Sequence, residues 1–150
     1  MQLKLWCSGL ALVFLGVCAP AAATLGEDVS SVQLDQAQLQ SGLEVTDTAR
    51  FAVHGMQLPS GTTVREYVSP AGMVFAVSWQ GPSMPDLQQV LGRYFAAYVD
   101  AVKNQATGGG ARALEQSGLV VQSGGHMRAF IGRAYVPAML PRGVSAEEIR

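Results

Sequence analysis

The spacing of apolar residues changes along this chain. Apolar side chains dominate from Leu5 to Val17, run through three β-branched and aromatic segments between Arg50 and Trp79, and recur at helical spacing from Leu87 to Val102. Arg50 to Leu58, Thr62 to Val68 and Met73 to Trp79 have the composition of half-buried strands. Pro59-Ser60-Gly61 closes a first hairpin, and Ser69-Pro70-Ala71-Gly72 places Ser, Pro and Gly where a type I turn uses them. These segments predict a three-stranded antiparallel meander.

Gln80-Gly81-Pro82 breaks the third strand. Ser83 then reads as a helix cap, Pro85 falls inside the first turn, and Asp86 favours the positive end of the helix dipole. Leu87, Val90, Leu91, Tyr94, Phe95, Tyr98, Val99 and Val102 form one apolar stripe, so the helix is expected to run to Lys103 or Asn104 and to pack on the sheet. Ala106 to Ala113, with three consecutive glycines, reads as a linker. Leu119 to Gln122 and Met127 to Val136 predict a second hairpin around Ser123-Gly124-Gly125. The expected fold is α+β: a three-stranded antiparallel meander, one long amphipathic helix, a C-terminal β-hairpin and a short N-terminal helix starting near Ser30 or Ser31.

The expected organisation is a signal peptide over 1–23, an N-terminal segment over 24–49, an α+β domain over 50–136 and a flexible tail over 137–150. Lys4, the apolar run and Ala21-Ala22-Ala23 supply the charged start, hydrophobic body and small-residue cleavage site of an export signal. Cleavage would leave Thr24 first and no transmembrane anchor, because the apolar run is shorter than the roughly 20 residues that span a bilayer. The chain is then periplasmic or secreted. Cys7 and Cys18 leave with the signal, so the mature protein forms no disulfide and offers no thiol nucleophile. A balance of 10 basic against 11 acidic residues, without long runs of one sign, argues against a nucleic-acid partner.

Aligning the first hairpin about Pro59–Gly61 pairs Leu58 with Thr62, Met56 with Val64 and His54 with Glu66. A two-residue second loop would set Glu66 against Phe75, Val64 against Val77 and Val68 against Met73. One sheet face then carries Ala52, Met56, Leu58, Val64, Val68, Met73, Phe75, Val77 and Trp79, with His54 and Glu66 among them. An imidazole beside a carboxylate in apolar surroundings is half of a general-base or metal site, so His54 and Glu66 are the candidate catalytic residues. A structural cross-strand pair is the plainer alternative. Arg65 and Tyr67, on the opposite face with Phe51, and Trp79 at the strand end are candidate binding residues; the bland reading of Trp79 is that it closes the core.

No zinc spacing, nucleophile elbow or phosphate loop is present, and Gly108 to Ala113 matches a dinucleotide fingerprint only in letters, because it follows a helix rather than a strand. No cofactor or metal is expected.

The segment VREYVSPAGMVFAVSWQGPSMPDLQQVLGRYF, preceded by HGMQLPSGT and by the start ATLGEDVSSVQLDQ, resembles a family of exported proteobacterial proteins grouped as domain of unknown function 2844. The resemblance implies a small exported bacterial domain and brings no catalytic residue, ligand or cofactor with it. Two function classes follow from the whole reading. One is a non-enzymatic binding or envelope-associated module whose partner is a protein or an envelope polymer. The alternative is a small enzyme or metal-dependent protein using His54 and Glu66. Oligomeric state is not encoded in any feature of the sequence.

Overall fold

A computed structural model describes residues 25–33, 42–104 and 112–150. The expected export signal, most of the expected N-terminal helix and residues 106–111 of the expected linker lie outside the described residues, while Arg112 and Ala113, also expected in the linker, are in a strand. Helix is described at residues 30–33, and the Asp28 carboxylate accepts from the Ser30 amide at 2.9 Å.

The strands are β1 Gly42–Asp47, β2 Ala52–Gln57, β3 Thr63–Val68, β4 Val74–Gly81, β5 Arg112–Gln116, β6 Leu119–His126 and β7 Ala129–Tyr135. They form one seven-stranded antiparallel sheet in the order β1-β2-β3-β4-β7-β6-β5. This overturns the expected three-stranded meander with a separate hairpin. The hairpin is continuous with the meander because β7 pairs with β4, from Ala76 opposite Tyr135 to Gly81 opposite Phe130. Residues Val74 to Trp79 are buried throughout, as a central strand covered on both faces requires. The expected sheet had left this strand at an edge.

Two further strands account for the rest of the difference. β1 falls in the N-terminal segment, where no strand was expected, and packs only Leu43 on the core, Val45 being 49% exposed. β5 follows the glycine linker and offers Leu114. Both are short sheet edges, where polar side chains face water and the alternation is faint.

The two turns of the meander form as their residues predict. Gly61 N–H donates to Leu58 O and Leu58 N–H to Thr62 O, at 2.9 and 2.8 Å; Gly72 N–H donates to Ser69 O at 2.9 Å, with Gly72 at φ +79°. The register beyond the second turn differs from expectation. Tyr67 faces Ala76 while Val68 faces Val74, so Phe75 is an extra residue in a β-bulge. Glu66 therefore faces Val77 and Val64 faces Trp79, and Phe75 joins Ala76 on the second face rather than lying with Val77. In the last hairpin the glycines stay in the ladder, with Gly124 opposite Ile131 and Gly125 opposite Phe130, and the turn falls at Met127-Arg128.

One sheet face is covered by the helical run Leu87–Asn104: α1 Leu87–Leu91, a 3₁₀ turn Gly92–Tyr94, and α2 Phe95–Asn104. The helix starts later than Ser83 would have it. Asp86 is the cap, its carboxylate accepting from Gln88 and Gln89 amides at 2.9 and 3.3 Å. Ser83 instead offers its carbonyl to the Thr62 hydroxyl at 2.7 Å, tying the loop after β4 to the first turn. Val90, Leu91 and Ala101 are buried, together with Leu25, Val32, Met56, Val64, Val77, Trp79, Leu114, Leu119 and Val121, in the main core.

Residues 137–150, expected as a flexible tail, pack across the other face as a strap. Two 3₁₀ turns, Pro137–Met139 and Ala146–Glu148, carry Met139, Leu140, Val144 and Ile149 onto Phe51, Val53, Tyr67 and Phe75. The capping box Ser145-Ala146-Glu147-Glu148 caps the second of these turns.

Candidate functional site

Row by row, the register decides which side chains meet. One row crosses the helix-covered face as Val45, His54, Glu66, Val77, Ala134, Val121 and Leu114. His54 and Glu66 are direct neighbours, as the first hairpin predicts. Glu66 is 0% exposed; His54 is half-buried, with Nδ1 shut away from water and without a hydrogen-bond partner among the described residues. Burial lowers the His54 pKa from its ordinary 6.5, and the negative charge of Asp47 partly opposes that shift.

That shift predicts a pH effect. Below 6.5 the unfolded chain takes up a proton at His54 that the folded protein resists, so the unfolded state binds more protons and stability falls as pH falls. The loss begins near 6.5 and levels off below the depressed native value. Urea midpoints measured from pH 7 to pH 5 should decline, and His54→Gln should remove part of the slope; an unchanged slope would show that His54 titrates as freely in the folded protein. Asp28 and Glu147, lowered mainly by hydrogen bonds from Ser30 and Ser145, act below the ordinary carboxylate values of 3.8 and 4.5, outside this range.

Trp79 lies in the next row, opposite Val64 and Gly132, and is 1% exposed. It closes the core. Its indole occupies the space where Gly132 has no side chain: a Cβ at Gly132 would overlap the ring.

Arg65 and Tyr67 lie on the second face. The Tyr67 and Ser78 hydroxyls donate to the main-chain oxygen of Arg150 at 2.6 and 2.8 Å, and Arg150 N–H donates to the Tyr67 oxygen at 2.8 Å. Arg65 reaches the same Arg150 oxygen at 3.5 Å. Arg133 holds the strap as well, donating to the carbonyls of Ala146 and Ile149 and to the Gln122 amide oxygen. Tyr67, expected as a recognition residue, is thus 3% exposed beneath the strap it anchors.

The strap covers only part of this face. Beyond Arg150 a cleft of about 570 Å³ opens over β7, β6 and β5, with Ile131, Gly132, Ala113 and Ile149 as its apolar lining and Gln80, Gln122, Arg133 and Arg150 as polar lining. A second hollow of about 370 Å³ shares Gln80 and Ile131 and continues to Pro82, Arg128 and Phe130. Ile131 is 55% exposed where the two meet. None of these cleft residues was singled out in the sequence, although Ile131, Arg133 and Tyr135 alternate onto one face of β7. The missing information was which strand lies beside β7.

Among the described residues no group of three or more His, Cys, Asp or Glu side chains is arranged to hold a metal ion. No helix among them is long and apolar enough to cross a membrane. Fold and site together define a single-sheet β domain, with a helix packed on one face and its own C-terminal strap on part of the other. The chain belongs to the family described as protein of unknown function DUF2844, whose model matches residues 21–149. Neither a curated protein nor a solved structure matched it.

Proposed function

We propose that this is an exported bacterial binding module, periplasmic or secreted, that engages an envelope partner through the uncovered part of its second sheet face. The observation that carries the reading is the open cleft there, with a half-exposed isoleucine between polar side chains, in a domain whose other face is spent on its core. Export rests on the character of residues 1–23. Cell fractionation should find the protein outside the cytoplasm with Thr24 as its first residue, and retention at full length in the cytoplasm would remove that part of the reading.

Cross-linking in intact cells, read by mass spectrometry, should join β7 to a partner, and Ile131→Glu should abolish those links while His54→Ala preserves them. The same links at full strength in Ile131→Glu would show that the cleft is not the binding surface. The second reading, an enzyme using His54 and Glu66, is favoured by their direct opposition across β2 and β3. It requires His54→Ala and Glu66→Gln each to abolish an activity without unfolding the domain. If either change only lowers stability, the pair is structural.

A further inference from the structure

The two hollows form one trough along β7, meeting at Gln80 and Ile131. From Arg133 to Ala129 the strand rises about 3.3 Å per residue, roughly 13 Å in all, and Arg128 follows in the turn, so the trough takes about five extended residues. Its charge is one-sided. Arg128, Arg133 and Arg150 line it, and among the described residues no Asp or Glu does.

Among the described residues the ion pairs are Arg50 with Glu148 and Arg93 with Glu27, so no carboxylate lies within 4.0 Å of the three trough guanidiniums. The Glu147 carboxyl is held down first by the Ser145 hydroxyl, with Arg133 a lesser influence that acts without an ion pair. Arg133 and Arg150 do donate to main-chain carbonyls of the strap, neutral acceptors that satisfy hydrogen bonds without cancelling the guanidinium charge. Between the charged ends lies an apolar stretch centred on Ile131.

We infer that the trough binds an extended acidic segment of a partner protein, with carboxylates at both ends and an apolar side chain on Ile131. This deepens the proposed function and rests on it. Charge alone would suit any polyanion; the apolar middle favours a polypeptide over an anionic polysaccharide, which has no side chain to bury there. Gln80 and Gln122 add amides able to bond peptide groups along the way.

The test is fluorescence anisotropy with the purified protein and a labelled hexapeptide carrying Asp at each end and Leu between. Its Asn counterpart should bind at least tenfold more weakly, and affinity for the acidic peptide should fall as salt rises. Arg128→Gln, at an exposed turn away from the strap, should weaken binding roughly three- to tenfold, the range of one well-placed charge contact. Arg142→Gln loses the same charge outside the trough and should change nothing. Equal binding of Asp and Asn peptides, no binding, or displacement by polygalacturonate as readily as by peptide would overturn the inference. If cellular cross-links still depend on Ile131 in such a case, the cleft stands as the binding surface and only the acidic-peptide assignment falls; links indifferent to Ile131→Glu defeat the cleft itself.

Discussion

Gly132→Val is expected to cost on the order of 3 kcal/mol and Gly132→Ala about 1 to 3 kcal/mol, because each forces a side chain into space held by a buried indole. The Trp79 ring lies across Gly132 with Val64 on the opposite strand, and it cannot swing outward without opening the core. In a domain whose total stability is roughly 5 to 15 kcal/mol, the valine variant would populate unfolded chains under mild denaturant. Urea titrations followed by tryptophan fluorescence would measure the cost. A cycle with Trp79→Phe gives the sharper check: the smaller ring makes room, so the double variant Gly132→Ala/Trp79→Phe should be more stable than the two single costs predict, by at least about 0.5 kcal/mol. Strict additivity would mean the glycine is needed for some reason other than the indole.

Ile149→Asp should release the strap and cost about 3 kcal/mol. Ile149 is 1% exposed, and returning such a side chain to water forfeits roughly 1.5 to 3 kcal/mol of burial. A carboxylate cannot take its place against Tyr67, Phe75 and Ala76 without a partner, so the segment lifts and uncovers those rings as well. The bonds from Arg133, Tyr67 and Ser78 to the last strap residues are lost in the same event. Increased binding of an apolar dye, with far-ultraviolet circular dichroism little changed, would report this. Native dye binding and an unshifted urea midpoint would show that the sheet does not depend on the strap. Because Ile149 and Arg150 also line the cleft, the same substitution should weaken the peptide binding inferred above.

The site was legible in proportion to how local its causes are. His54 meets Glu66 because Pro59-Ser60-Gly61 sets the register of one hairpin, and that turn can be read from composition. One strand further the reading fails: the bulge inserts Phe75 between the pairs Tyr67–Ala76 and Val68–Val74, and the turn residues do not record it. Arg65 and Tyr67 could be placed on the second face by alternation. That the strap would bury Tyr67 depended on contacts across more than 80 positions of chain, between Tyr67 and Arg150.

What this sequence determines by itself is therefore short in range: the turns at Pro59–Gly61 and Ser69–Gly72, the apolar stripe and C-terminal end of the helix, and the facing of His54 and Glu66. Each follows from steric and hydrogen-bonding preferences that act within a dozen residues. The tertiary structure alone decides that β7 lies against β4, that β1 and β5 complete the sheet, and that the strap covers part of one face, with the arginine-lined trough beside it among the described residues. Those outcomes rest on burial, which sums over distant side chains and rewards any arrangement that hides them. A polar residue such as Arg133 carries no mark of the strands that will flank it until the core has chosen them.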